Sequence, residues 1–134
     1  MAIMRMGYAH VRVTNMAEAR QHYTETLGLI ETLDQDGKVY FKGWDEHDHH
    51  SVVIEEGGVG VVKFGFKAEN EDDIARVERA CQTFGVTTER MSKGDNPEIG
   101  DGLRVFTPSD HVFEVYTEAG FVGSNVGYTN PEAF

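Results

Sequence analysis

The residues richest in acid–base and metal-ligating chemistry are the six histidines and the carboxylates around them. The densest group is Glu46-His47-Asp48-His49-His50. Imidazole and carboxylate donors at this spacing could collect zinc or nickel adventitiously. A solvated connection ahead of a strand is the more ordinary outcome, and it is the one expected here. His22 reads as half of an aromatic pair with Tyr23, and His111 as a turn residue. Cys81 stands alone, so an internal disulfide and a cysteine-based zinc site are both excluded. Its spacing with Ile74, Val77 and Phe84 suits a small buried hydrophobe. Gly57, Gly58 and Gly60 are not followed by Gly-Lys-Ser/Thr, so they form no phosphate-binding loop. The acidic run 69–73 reads as a helix N-terminus favoured by the helix dipole.

Elements must position these groups, and the totals limit which. The chain has 134 residues, 40% hydrophobic and 26% charged, which suits one compact domain with a real core. No apolar run approaches the roughly 20 residues that a membrane helix needs. Residues 1–7 lack the apolar core of a secretory signal, so a cytoplasmic address is expected. The formal net charge of −11 repels phosphate backbones, which argues against nucleic acid and anionic membranes as partners.

The organising feature is an internal repeat. Residues 8–13 alternate as a strand and end at Asn15, which with Glu18 makes a capping-box-like helix start. Ala19, Tyr23 and Leu27 recur at helical spacing, and Gly28 supplies the stop. Three strand candidates follow at 29–33, 38–44 and 51–55, the first two joined by the Asp36-Gly37 turn. The second half repeats the order. A strand at 61–66 leads to the cap Asn70, and Ile74, Val77, Cys81 and Phe84 give a helical stripe closed by Gly85. Strands are then expected at 86–91, 103–107 and 112–117. Each half is therefore strand–helix–strand–strand–strand. One such unit cannot cover its own apolar sheet face, whereas two paired units can. The reading is one α+β domain of two βαβββ modules, residues 1–57 and 58–122, with 123–134 opening a linker.

The stretches Val11-Arg12-Val13-Thr14-Asn15-Met16, His22-Tyr23 and Leu27-Gly28-Leu29 resemble the module opening of the vicinal-oxygen-chelate superfamily. Within that group, Val39-Tyr40-Phe41-Lys42-Gly43-Trp44-Asp45-Glu46 is similar to the N-terminal halves of catechol 2,3-type extradiol dioxygenases. So is the run from Phe106 to Tyr116 that contains Pro108-Ser109-Asp110-His111, and so is Asn130-Pro131-Glu132-Ala133-Phe134. The resemblance implies a curved mixed sheet and a polypeptide that cleaves catechol or an alkylated catechol with Fe²⁺ and O₂. It also implies a C-terminal catalytic domain as partner, and assembly as a homo-oligomer.

That family holds iron with two histidines and one glutamate. Carried onto this chain, the ligand positions fall on Tyr8, Lys63 and Glu114. Two imidazoles are thus replaced by a phenol and an ammonium, and a protonated lysine has no lone pair to give. The resemblance therefore implies no catalytic residue, bound cofactor or metal in these 134 residues, which alone are expected to be inactive. Convergence of the three side chains would let Glu114 accept hydrogen bonds from Lys63 and Tyr8. His10 shares a strand face with Tyr8 and is the competing ligand, although a structural or surface role is preferred. Tyr116, Phe121 and Tyr128 suit packing or contact with a partner domain. Two other classes stay open. One is a stand-alone binding protein of the bleomycin-resistance type. The other is a glyoxalase-type lyase or isomerase with a metal on His10 and Glu114.

Overall fold

A computed structural model describes residues 3–120. Its strands and helices run in the expected order: β1 (Ile3–Val13), α1 (Met16–Gln21), β2 (Ile30–Gln35), β3 (Lys38–Lys42), β4 (Val52–Glu56), β5 (Gly60–Ala68), α2 (Glu71–Thr83), β6 (Thr87–Met91), β7 (Gly102–Phe106) and β8 (Val112–Tyr116). The strands form a mixed sheet in the order β2-β3-β4-β1-β5-β8-β7-β6. Two compact units divide the chain, one from residues 1–10 and 61–119, the other from 11–60 and 120–134. The first strand is therefore shared: its opening residues belong with the second repeat. The expected linker 123–134 and the aromatics Phe121 and Tyr128 lie outside the described residues.

In the unit of residues 61–119, helix α2 starts where Asn70 accepts the Asp73 amide at 3.0 Å. Glu71, Asp72 and Asp73 place negative charge at the positive end of its dipole. It stops at Gly85, whose φ of +73° is left-handed, and the Val86 amide reaches back to the Cys81 carbonyl at 2.8 Å. Ile74 and partly buried Val77 and Cys81 pack with Ala68, Leu103, Val105 and Val115. Phe84 was expected on this stripe, but it is 84% exposed. As the last residue before the reversal it turns away from the core. On β8 the residues alternate: Phe113 and Val115 join this core, and Tyr116 joins a second cluster with Tyr8, Met91 and Ile99.

In the unit of residues 11–60, Asp36 and Gly37 both have positive φ, the conformation of the tight hairpin turn that joins β2 to β3. Val39, Phe41 and Ile54 form its core, with Tyr23 and Ala19 packed on them. The first helix is shorter than its spacing predicted. It gives way at His22–Thr26 to a single π turn, closed by the Leu27 amide on the His22 carbonyl at 3.0 Å. The Thr24 hydroxyl bonds the Arg20 carbonyl at 2.9 Å, competing with the helical ladder at that point.

A second correction concerns the Glu46–His50 run, expected to be a solvated connection. His49 and His50 are buried, at 6% and 4% exposure. The connection folds back on β3 and meets its own polar needs there. The Lys42 ammonium donates to the Glu46 carbonyl at 2.7 Å, and the Gly43 amide donates to the Glu46 carboxylate at 2.8 Å. The Ser51 amide reaches the Phe41 carbonyl at 2.8 Å. Among the described residues no helix is long and apolar enough to cross a membrane.

Candidate functional site

Within the unit of residues 1–10 and 61–119, three strands, β1, β5 and β8, carry the predicted side chains Tyr8, Lys63 and Glu114. Parallel pairing of β5 with β8 sets Gly65 opposite Glu114, so Lys63 lies one strand-face repeat away. Antiparallel pairing of β7 with β8 sets Arg104 directly opposite Glu114, and β6 sets Glu89 opposite Arg104. Charges of alternating sign thus run across β6, β7 and β8, with Lys63 of β5 closing the series.

Glu114 is fully buried. Its Oε1 accepts from the Tyr8 hydroxyl, from Lys63 Nζ at 3.0 Å and from Asn96 Nδ2 at 3.1 Å. Its Oε2 accepts from Arg104, with Nε at 2.8 Å and Nη2 at 2.7 Å. Arg104 Nη1 continues to Glu89 at 3.0 Å, and Lys63 also donates to the Asn96 side-chain Oδ1 at 2.7 Å. Burial by itself would push the Glu114 carboxyl up. The Lys63 charge and the hydrogen bonds from Tyr8, Lys63 and Arg104 outweigh it and hold the carboxyl below the usual range. The Tyr8 phenol moves strongly upward, first through burial and then through the neighbouring Glu114 charge, so it stays a neutral donor.

The space around the carboxylate is filled by rings. Tyr8 stacks on Tyr116 with centroids 5.7 Å apart, and both are buried. Glycines make this possible. A Cβ on Gly65 would run into the Tyr8 ring, and one on Gly7 would run into the Tyr116 hydroxyl.

This donor set does not fit a two-histidine, one-carboxylate iron centre. Lys63 donates at the place where a lone pair would be needed, and two cationic side chains already hold the carboxylate. The arrangement has the means to neutralise a buried carboxylate and to lock four strands by charge-assisted bonds.

His10, the competing ligand, is buried on β1. His22 lies beside Tyr23 with ring centroids 5.8 Å apart, and the exposed His111 meets the Ser109 hydroxyl at 2.9 Å in the β7–β8 turn. Cys81 is half-buried, and burial raises its thiol. Among the described residues no group of three or more histidine, cysteine or acidic side chains is placed to hold a metal. Sequence reasoning missed Arg104 and Asn96. Arg104 had a signal: counting outward from Ser109, the centre of the Pro108-Ser109-Asp110 turn, puts it opposite Glu114. Asn96 sits in a loop and had none.

Comparison with known proteins points the same way as the strand order. The family model of the catechol 2,3-dioxygenase-like N-terminal domain matches residues 63–119. A metapyrocatechase from Pseudomonas sp. (strain CF600) is 37% identical over 135 residues, covering 98% of this chain and 44% of that protein. The 2,3-dioxygenase LapB from Pseudomonas sp. KL28 superposes with a TM-score of 0.87 at 38% identity, over 97% of this chain and 46% of that one. An extradiol ring-cleaving dioxygenase from B. fuscum gives a TM-score of 0.82 at 30% identity, over 90% of this chain and 34% of that one. The fold is that of the vicinal-oxygen-chelate superfamily. The chain is similar to these extradiol dioxygenases and, over residues 63–119, to the catechol 2,3-dioxygenase-like N-terminal domain, and it spans less than half the length of those relatives.

Proposed function

We propose that this chain is the non-catalytic N-terminal half of an extradiol ring-cleaving dioxygenase. The whole protein would open catechol or an alkylcatechol next to the diol, using O₂, to give a semialdehyde. Fe²⁺ would sit in a C-terminal catalytic domain, which this half supports while contributing to contacts in a cytoplasmic homo-oligomer. Residues 1–57 and 58–122 are assigned as its two modules, with 123–134 leading toward the catalytic half.

One observation carries the non-catalytic reading: Glu114 is saturated by Tyr8, Lys63, Asn96 and Arg104. A carboxylate held by two cations and a phenol is a poor ligand for a further cation. The role left to the network is structural, tying β1, β5, β7 and β8 together.

The test uses the full protein. Tyr8→Phe, Lys63→Met and Glu114→Gln are expected to keep the wild-type iron content and the wild-type kcat per iron, while melting at lower temperature. Loss of iron from the Glu114→Gln protein, with its fold intact by circular dichroism, would overturn the assignment.

A further inference from the structure

The chain contains two Asp-Gly bonds, Asp36-Gly37 and Asp101-Gly102, and the fold holds them in opposite ways. We propose that Asp36 is a site of spontaneous isomerisation to isoaspartate, a covalent modification at the tip of the β2–β3 hairpin, and that the fold shields Asp101 from the same reaction.

The chemistry is intramolecular. The Gly37 nitrogen attacks Cγ of the protonated Asp36 carboxyl and forms a new C–N bond. The carboxyl OH leaves with the amide hydrogen as water, and a five-membered cyclic imide results. Water then adds to one of the two imide carbonyls and breaks its C–N bond. Reopening at the side-chain carbonyl restores aspartate. Reopening at the main-chain carbonyl leaves Gly37 joined through Cβ and Cγ of Asp36, which is isoaspartate. Glycine on the attacking side has no β-carbon to hinder the approach.

Three features leave Asp36 open to this reaction. Its φ is +54° and that of Gly37 is +76°, and the left-handed region is disfavoured for a residue with a β-carbon, so the turn holds Asp36 weakly. Next, β2 is an outermost strand of the sheet and residues 34–37 are exposed, so the turn is freed by opening the last pair, Gln35 with Lys38. Last, the space where a Gly37 β-carbon would stand is empty to 4 Å, and the carboxyl is met by the adjacent Gln35 side-chain amide at 3.3 Å.

At Asp101 the same atoms are held. Its Oδ1 accepts the Lys93 amide at 2.7 Å. Gly102 is buried and begins β7, in register with Met91 on one side and Tyr116 on the other. A β-carbon on Gly102 would run into the Val115 carbonyl oxygen, so the backbone there has no room to turn toward the carboxyl.

Isoaspartate adds one atom to the main chain of a two-residue turn, so the pairs Gln35–Lys38 and Asp34–Val39 are lost first. β3 keeps its pairing with β4 and its core residues Val39 and Phe41, which confines the damage to the edge strand.

The test holds the full protein at neutral pH and physiological temperature for several weeks, followed by digestion and electron-transfer fragmentation, which tells aspartyl from isoaspartyl peptides. Isoaspartate at residue 36 should exceed that at residue 101 about tenfold or more, the factor by which one hydrogen bond of ordinary strength shifts an opening equilibrium. Synthetic peptides carrying residues 33–40 and 98–105 should isomerise at comparable rates, so that the difference in the protein comes from the fold. Amide exchange of residues 33–36 should be faster in the aged protein than in the fresh one. Asp36→Glu cannot close the five-membered ring, and its exchange should not change with age. The proposal falls if residue 36 stays aspartate while its peptide isomerises, or if residue 101 reacts as fast as residue 36 in the folded protein. It also falls if the two peptides differ by as much as the two sites do. Should Asp36→Glu not fold, the wild-type ratio between the two sites decides the matter.

Discussion

At the scale of single residues, the most consequential side chain is Glu114, because its cost of burial depends on others. Glu114→Gln leaves Lys63 and Arg104 without the carboxylate they neutralise. Breaking such a pair typically costs about 3–5 kcal/mol, and the partial exposure of both cations places this case near the lower end. The effect should also depend on pH. A carboxyl held below its ordinary value in the folded state adds stability that is present above the unfolded-state value, roughly 4.3 for a glutamate. That stability is lost as pH falls through the lower folded value. Urea midpoints at pH 7, 4 and 3 should therefore drop more steeply for the wild type than for Glu114→Gln. Equal acid slopes in the two proteins would contradict this account. Gly65→Ala tests the ring packing beside it. Its Cβ would enter the space of the Tyr8 ring, and overpacking of this kind costs about 1–3 kcal/mol, readable as a lower urea midpoint.

At the scale of elements, the two repeats share devices but use them unequally. Both helices start on an asparagine cap, with Asn15 accepting from Glu18 and Asn70 from Asp73, each at 3.0 Å. Each repeat also ties its helical side to the following strand by an arginine–glutamate pair in opposite polarity. Arg20 of α1 binds Glu31 of β2, and Arg90 of β6 binds Glu78 of α2. The stripe on α2 can be tested by two substitutions. Ile74→Ala, at a fully buried position, should cost about 2–5 kcal/mol by transfer and cavity terms. Phe84→Ser, at an exposed one, should stay within about 0.5 kcal/mol. A large loss for Phe84→Ser in thermal unfolding would mean that this ring is covered in the intact protein.

At the scale of the whole molecule, the excess of 23 acidic over 12 basic residues dominates. That excess leaves eleven carboxylates beyond one-to-one pairing with lysine and arginine. Salt weakens exposed ion pairs, but here it screens more repulsion than attraction. The melting temperature should rise with moderate sodium chloride, and a steady fall would show that the surface pairs dominate instead.

Much of this architecture was legible in the chain because it is local. The caps at Asn15 and Asn70, the Asp36-Gly37 turn and the stop at Gly85 are set by hydrogen bonds within a few residues. The repeat that these signals mark yields the order of elements along the chain. The expectation that Tyr8 and Lys63 stand at the family's two histidine positions rests on residue identity and needs no coordinates once the positions are matched. Other features depended on partners that arrive from far along the chain. Asn96 reaches Glu114 only through the placement of a loop, and Tyr8 reaches it across 106 residues. The burial of His49 and His50 and the exposure of Phe84 follow from what packs, or does not pack, against them. Short-range hydrogen bonding and periodicity are written in the sequence, whereas burial is a property of the neighbours that tertiary structure supplies.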